Sequence, residues 1–314
     1  MLINEKVENG RMINLAEIGT EQSNPRTAEI DQLSTLEMVR LINREDQAVI
    51  DAVNRATPQI AAAIDLIVVA IKQGGRLIYM GAGTSGRLGV LDASECLPTF
   101  GVGEEAVIGI IAGGDRALRH PVENAEDNFE AGKADLEAIH CNEKDVVCVI
   151  ASSGRTPYCL GALAYAKIIG AGSVAIACVA GSQIGQKADI AIEAVVGEEV
   201  ITGSTRMKSG SAQKMILNML STGTMIRLGK VYGNQMVDLR ATNEKLVARA
   251  ERIVMQVTGC SSSEAKALLQ KSQGAVKPAI VMALLATSYE KAQALLAQYD
   301  GHIRQLLVAE RGDR

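Results

Sequence analysis

The chain has 314 residues, of which 47% are hydrophobic and 22% charged, so it can bury a sizeable core, and disorder is excluded as its main state. Aromatic residues make up only 3% of the chain, and 36 acidic against 32 basic residues give a formal net charge of −4. Surfaces that hold nucleic acid generally need aromatic platforms and positive charge. The composition therefore argues against a nucleic-acid binder, whereas a small anionic ligand can still be held locally.

The cysteines and the N-terminal segment bear on the cellular compartment in which the protein is expected. The six cysteines include no C-x-x-C pair, and several lie within apolar runs such as Val146–Ile150. This placement predicts buried free thiols in a reducing environment. The N-terminal segment lacks the apolar region of a signal peptide, and the longest apolar stretches are too short to cross a bilayer. We therefore expect a cytoplasmic protein without a membrane partner.

The predicted elements begin with a polar lead-in followed by helices. Ser34 and Glu37 have the spacing of a capping box, which predicts that a helix starts there. Apolar residues at helical spacing then run from Asp46 to Lys72, with a break near Thr57-Pro58. We expect residues 1–60 to form the lead-in and helices that pack on the core.

The middle of the chain changes to short apolar runs separated by helix-compatible stretches. The runs, predicted as β-strands, are Arg76–Met80, Ala106–Ile111, Asp145–Ala151, Ser173–Val179 and Ile190–Val196. Strands that are apolar on both faces and alternate with helices indicate a parallel sheet covered on both sides. The predicted fold class is therefore α/β, a three-layer sandwich with flanking helices.

The last third of the chain is predicted to be all-helical. Met207–Leu228 predicts a long helix that closes the α/β core, and no strand pattern follows. Helical spacing recurs at about 241–257, 262–271, 276–285, 288–297 and 301–309. Ser261 and Ser288 are placed as helix caps. We expect residues 61–230 to form the α/β domain and residues 238–314 a small helical bundle.

Three junctions between a strand and a helix are rich in glycine and hydroxyl residues, and we call residues 81–87, 152–157 and 203–211 the first, second and third loops. Ligands of parallel α/β sheets bind at the carboxyl ends of strands, where helix N-termini present free amides and partial positive charge. In the second loop, Thr156 is placed as an N-cap before Pro157. Each loop alone is compatible with an ordinary capped turn, but two at neighbouring strand ends favour a shared anion.

The first loop has the glycine spacing of a nucleotide site, and the third loop carries two cations. Gly81, Gly83 and Gly86 give the first loop the spacing of a dinucleotide site, but the acidic residue that such a site needs after the second strand is missing from the expected place. The nucleotide interpretation is therefore the weaker one. The third loop has Arg206 and Lys208 at the start of a helix, where cations oppose the helix dipole unless an anion is near. Together the loops predict a site for a phosphorylated small molecule.

Several longer strings are similar to those of the N-acetylmuramic acid 6-phosphate etherases, a family with the sugar isomerase (SIS) fold. They are TEQSNPRT (20–27), DQLSTLEMVRLIN (31–43), GAGTSGRLGVLDASE (81–95), GGDRAL (113–118), ENAEDN (123–128), IASSGRTPY (150–158) and TGSTRMKSGSAQK (202–214). The resemblance runs from about residue 20 to the C-terminus. Leu97 and Glu198 depart from it, since the family's pattern has proline at both places.

The resemblance implies a lyase that cleaves the D-lactyl ether of N-acetylmuramic acid 6-phosphate, giving N-acetylglucosamine 6-phosphate and D-lactate, in the recycling or catabolism of cell-wall amino sugar. The implied reaction removes the C2 proton, expels the lactyl oxygen from C3 and then adds water, with no cofactor and no metal. Glu95 and Glu126 are implied as the catalytic carboxylates, with the division between acid and base left open. A homodimer is implied as well.

The same resemblance implies which residues bind the sugar phosphate. They are Gly83, Thr84, Ser85, Ser152, Ser153, Gly154 and Thr156, with Ser204, Arg206 and Lys208 as further candidates. Without the family, Glu95 and Glu126 would be two of 36 acidic residues, and composition would select neither. His120, His140 and His302 are scattered along the chain, so we expect surface positions rather than metal ligands.

Two other functions remain open. A sugar-phosphate isomerase with the same fold would need a base for proton transfer between C1 and C2, but no means of expelling lactate. A non-catalytic sugar-phosphate sensor would carry a module that binds DNA or protein. The helical tail lacks a basic recognition face, because Glu264, Glu290 and Asp300 dilute its lysines and arginines.

Overall fold

The computed structural model describes residues 7–8, 11–12, 19–239 and 244–312, which form two compact units. The first unit contains the described residues up to Ala93 together with Glu105–Leu220. The second contains Ser94–Glu104 and the described residues from Ser221 onward. The division after Leu220 comes earlier than the boundary expected between 230 and 238, and the second unit is not continuous in sequence.

The first unit begins with short elements and two long helices. They are the antiparallel strands β1 (Val7–Glu8) and β2 (Arg11–Met12), three 3-10 turns, and the helices α1 (Thr35–Arg55) and α2 (Thr57–Lys72). The predicted capping box is confirmed, because Ser34 Oγ accepts from the Glu37 amide and the Glu37 carboxylate accepts from the Ser34 amide. The predicted break is confirmed as well, since Ala56 separates the two helices.

A parallel sheet of five strands forms the centre of the first unit. Its strands are β3 (Leu77–Gly81), β4 (Val107–Ile111), β5 (Val146–Ile150), β6 (Gly172–Ala177) and β7 (Ile190–Glu193), in the spatial order β4-β3-β5-β6-β7. All five predicted strands are confirmed. Gly81 lies opposite both Ile111 and Ile150, so the carboxyl ends of β4, β3 and β5 are level with one another. The loops after these three strands therefore share one edge of the sheet.

The helices that follow β3 in the chain are α3 (Gly83–Phe100), α4 (Arg116–Arg119), α5 (Phe129–Ala138), α6 (Pro157–Ile169) and α7 (Lys208–Arg227), of which α3 and α7 continue into the second unit. Helix α2 packs against β3, β5, β6 and β7, and α6 packs against β3, β5 and β6. Helices α5 and α6 approach closely because each has glycine at the contact. A Cβ at Gly132 would collide with the carbonyl oxygen of Tyr158, and one at Gly161 with that of Phe129. This packing holds the segment before α5 beside the N-terminus of α6.

Among its described residues, the second unit is helical apart from one hairpin, formed by β8 (Val231–Tyr232) and β9 (Gln235–Met236). Its further helices are α8 (Glu244–Thr258), α9 (Ser262–Lys271), α10 (Val276–Leu285), α11 (Tyr289–Gln298) and α12 (Ile303–Arg311). All five predicted helices are present, although residues 241–243 of the first lie outside the described residues. Ser261 and Ser288 cap α9 and α11 as predicted.

The sequence also predicted buried free thiols and apolar stretches too short to cross a bilayer. All six cysteines are free, and five of them are buried, which confirms the predicted buried thiols. Within the described part of the chain, no single helix has the length and apolar character needed to cross a membrane. Helices α1 and α2 meet that test only as a pair, with a bend of 56° between them.

A buried ionic cluster ties the lead-in to the start of α7. The Glu45 carboxylate on α1 accepts hydrogen bonds from Arg26 Nε at 2.6 Å and from Lys208 Nζ at 3.3 Å. Glu45 is 6% exposed and Lys208 is 0% exposed. The buried Glu199 carboxylate accepts from the backbone amides of Lys208 and Ser209, both at 2.9 Å. These contacts fix the first turn of α7 against the body of the first unit.

Candidate active site

The first loop brings the N-terminus of α3 against the end of β3. Gly83 has a φ of +54°, which lets the chain turn sharply into the helix. A Cβ at Gly86 would collide with the carbonyl oxygen of Gly81, so only glycine permits this approach. The first turn of α3 then presents the half-buried Thr84 and the buried Ser85 at the carboxyl end of the sheet.

The second loop has a similar construction after β5. Gly154 has a φ of +69°, and a Cβ there would collide with Cβ of Ser182. Ser152 is buried and Ser153 is half-buried. Thr156 is the N-cap residue of α6, as predicted, but its hydroxyl makes no capping hydrogen bond. Capping of α6 therefore does not compete with a ligand for the Thr156 hydroxyl.

Gln213 of α7 joins the two loops. Its Oε1 accepts a hydrogen bond from Ser85 Oγ at 3.0 Å, and its Nε2 donates to Ser152 Oγ at 2.9 Å. Gln213 is fully buried, and the two serines are 7% and 9% exposed. Gln213 could not be selected from the sequence, because its partners lie 128 and 61 residues away and a glutamine within a long helix has no local signal.

In the third loop, the structure bears on the predicted role of one residue, Lys208. Ser204 is half-buried and Arg206 is exposed, whereas the ammonium of Lys208 is buried in its ion pair with Glu45. This position supports a structural role for Lys208 rather than contact with a ligand. For Lys208, the anion expected from the sequence is supplied by the protein itself, through Glu45 for the ammonium and Glu199 for the backbone amide.

A cavity of about 260 Å³ opens beside the first loop. Its wall includes Gly83, Arg87 and the segment Pro121–Glu126, which carries two carboxylates. The Arg87 guanidinium is held by two backbone carbonyls, donating from Nε to Leu118 at 3.1 Å and from Nη2 to Ala117 at 2.7 Å. This volume lies just below the range of roughly 300–1,000 Å³ that is usual for small-molecule sites.

Glu126 is placed next to both hydroxyl-rich loops. It lines the same cavity as Gly83 of the first loop. Its backbone carbonyl accepts a hydrogen bond from the amide of Tyr158, in the first turn of α6, at 3.0 Å. The side chain itself is exposed. The structure thus brings one of the two predicted carboxylates to the edge of the sheet where the first two loops lie.

Glu95 lies on α3 and is exposed, one turn after the buried Asp92. It belongs to the second unit, so its combination with the two loops stays a prediction. The Asp92 carboxylate accepts hydrogen bonds from Tyr79 Oη at 3.2 Å and from Lys214 Nζ at 2.8 Å. This polar network could not be predicted from the sequence, since its members come from three separate elements.

The fold and the paired loops define an SIS-domain protein, which confirms the predicted fold class. Family models agree with this class: the N-terminal SIS domain of glucokinase regulatory protein matches residues 59–167, and the SIS domain matches residues 122–223. The C-terminal lid domain of glucokinase regulatory protein matches residues 233–277. Among solved structures, a phosphoheptose isomerase from Francisella tularensis is 20% identical, with a TM-score of 0.46 over 60% of this chain and 100% of that chain.

Curated relatives narrow the class to one family. The N-acetylmuramic acid 6-phosphate etherase of Actinobacillus succinogenes is 56% identical over 301 residues, which is 96% of this chain and 99% of that protein. N-acetylmuramic acid 6-phosphate etherase 2 of Vibrio cholerae is 56% identical over 293 residues, 93% of this chain and 95% of that protein. The chain belongs to the N-acetylmuramic acid 6-phosphate etherase family, and the resemblance found in the sequence is confirmed.

Proposed function

We propose that this protein cleaves the D-lactyl ether of N-acetylmuramic acid 6-phosphate to give N-acetylglucosamine 6-phosphate and D-lactate, within the recycling or catabolism of cell-wall amino sugar. The observation that carries the proposal is 56% identity over nearly the whole length of a relative named for that reaction. The site supports it with two hydroxyl-rich loops at one edge of the sheet and a glutamate beside them.

The first and second loops hold the 6-phosphate. They begin α3 and α6, whose N-terminal amides and helix dipoles favour a negative charge. Ser152, Ser153 and Thr156 supply hydroxyl donors, and the Thr156 hydroxyl makes no capping hydrogen bond that would compete. The phosphate is therefore bound through its charge, which suits a chain with few aromatic rings to stack on a sugar.

Glu95 and Glu126 carry the proton transfers. In the ring-opened sugar the C1 aldehyde acidifies the C2 proton, and a carboxylate removes it. The electron pair left at C2 forms the C2–C3 double bond as the lactyl oxygen leaves C3 and takes a proton from an acid. Water then adds its oxygen to C3, and a proton returns to C2. The products are a sugar with a C3 hydroxyl and free lactate, so atoms balance with no oxidant or reductant.

We propose that the active form is a homodimer. Helix α1 exposes large apolar side chains, with Leu36 59%, Val39 56% and Ile50 56% exposed. Burial of these side chains against a second copy would remove exposed apolar surface from water, which supports association. Light scattering should then give a mass of twice 33.2 kDa.

The role of the second loop in holding the phosphate predicts the effect of Ser153→Ala. Because the change deletes one donor to a charged group, we expect KM to rise about 10- to 100-fold with kcat little changed. Steady-state kinetics of D-lactate release measure both constants. Ser263→Ala, an exposed serine of the second unit, is the matched control and should behave like the wild type. A KM unaffected by Ser153→Ala would remove the second loop from the phosphate site.

D-lactate also separates the proposed activity from its rivals. An isomerase with this fold would interconvert sugar phosphates and release no lactate, and a sensor would bind the sugar phosphate without turnover. No observation on the described residues favours either rival over the etherase. The decisive assay is therefore the release of D-lactate from N-acetylmuramic acid 6-phosphate.

A further inference from the structure

We infer that Gln213 is a positioning residue that determines which of its two partners, Ser85 or Ser152, donates a hydrogen bond to the bound phosphate. The inference rests on the proposed phosphate site. Its observation is the buried chain of hydrogen bonds in which Gln213 lies between Ser85 and Ser152, at 3.0 and 2.9 Å. No residue of the sugar-phosphate site predicted from the sequence lies on α7 beyond its first residue, so this link adds a new component.

The Gln213 amide accepts a hydrogen bond from one serine and donates one to the other. A serine hydroxyl has a single proton, and Ser85 gives its proton to the carbonyl Oε1. Ser85 therefore has only lone pairs to offer another partner. Ser152 accepts from Nε2, so its own proton remains available. Because a phosphate dianion only accepts hydrogen bonds, Ser152 can donate to it, whereas Ser85 positions the amide.

The rest of α7 keeps this amide in place. Lys208 lies five residues before Gln213. Its backbone amide is capped by the Glu199 carboxylate, and its ammonium is paired with Glu45. A Cβ at Gly210 would lie 3.6 Å from Thr84 Cγ2, so the first turn of α7 runs directly against the first loop. The helix therefore fixes the distance of Gln213 from both loops before any ligand arrives.

A double-mutant cycle on ligand affinity tests this role. Gln213→Met keeps the volume of the side chain but removes both ends of the amide. We expect the Kd of N-acetylglucosamine 6-phosphate, measured by calorimetry, to rise about tenfold for Gln213→Met and about tenfold for Ser152→Ala. Since Gln213 acts through Ser152, the double variant should also stay about tenfold weaker, rather than about 100-fold.

Ser153→Ala supplies the matched comparison. Ser153 is not a partner of Gln213, so combining Ser153→Ala with Gln213→Met should multiply the two effects to about 100-fold. If Gln213→Met unfolds, Gln213→Asn gives the same cycle with both ends of the amide kept and the side chain shortened. Multiplied effects with Ser152→Ala, or an unchanged Kd for the single Gln213 variants, would overturn the inference, because a merely structural glutamine would not couple to one serine.

The cycle is independent of turnover. It uses the affinity for N-acetylglucosamine 6-phosphate, so a protein that released no lactate would still give the predicted coupling. Conversely, an active etherase without the coupling would retain the proposed function and lose only the role of Gln213. Thermal unfolding of each variant, measured beside calorimetry, confirms that the affinities refer to folded protein.

Discussion

Glu95→Gln is expected to lower kcat for D-lactate release by about 10²- to 10⁴-fold, while binding of the sugar phosphate stays close to that of the wild type. The substitution preserves the size and polarity of the side chain and removes only the group that takes up or gives a proton. An amide cannot remove the proton from C2 or deliver one to the lactyl oxygen. Turnover and the Kd of N-acetylglucosamine 6-phosphate, measured on the same preparation, separate loss of chemistry from loss of binding.

Two matched controls sharpen the comparison. Glu104→Gln changes an exposed glutamate of the same unit that lies outside the strings shared with the family, and it should leave kcat unchanged. Glu126→Gln should also lower kcat, whereas Glu123→Gln, from the same wall of the cavity, should have the smaller effect. Wild-type turnover in Glu95→Gln would exclude that residue as a catalytic carboxylate.

Glu45→Ala is expected to lower the free energy of unfolding by about 3–5 kcal/mol. The change leaves the fully buried Lys208 ammonium without its carboxylate, and an unpaired buried charge is costly. Arg26, the other cation of the cluster, has a side chain that is 57% exposed and can be solvated instead. Urea unfolding at neutral pH measures the loss.

The double variant Glu45→Ala/Lys208→Met isolates the charge effect. It removes both buried charges, so it should recover most of the stability lost in the single variant. Glu137→Ala breaks the exposed pair with Lys133 and is the control for a surface ion pair, with an expected loss below about 1 kcal/mol. A similarly small loss for Glu45→Ala, or a double variant no more stable than the single one, would contradict the buried-pair interpretation.

The same cluster makes the free energy of unfolding depend on pH. The hydrogen bond from Arg26, first among several causes, lowers the pKa of Glu45 from 4.5 to about 2. A carboxyl with a lowered folded-state pKa contributes stability above its unfolded pKa and loses it as the pH falls through the folded value. The contribution of roughly 3 kcal/mol should therefore be present above about pH 5 and decline toward about pH 2. Glu45→Gln should flatten that decline in urea unfolding.

The fold follows from local patterns to a large extent. The strands were predictable because apolar runs such as Val146–Ile150 are buried on both faces, and the helix starts at Thr35 and Ser262 because their serine caps act within four residues. The division of the chain was less predictable. Helix α3 has a continuous helical pattern, yet Ser94–Glu104 belongs to the second unit, and this depends on packing between segments far apart in sequence.

The candidate site, like the fold, could be predicted from the sequence only in part. The hydroxyl-rich loops are visible as short strings after predicted strands, whereas Glu95 and Glu126 stand out only through the resemblance to the family. Lys208 shows the limit of local reasoning, because its pairing with Glu45 spans 163 residues. Gln213 shows the same limit: two buried hydrogen bonds define its place, and neither partner is near in sequence.

The most direct test of the central claim is incubation of the purified protein with N-acetylmuramic acid 6-phosphate in ¹⁸O-labelled water, followed by assay of D-lactate and mass analysis of the sugar. Elimination followed by addition of water predicts equal amounts of D-lactate and N-acetylglucosamine 6-phosphate, with the label at C3 of the sugar and none in the ether oxygen carried off by lactate. No D-lactate above that of heat-inactivated protein would contradict the etherase function.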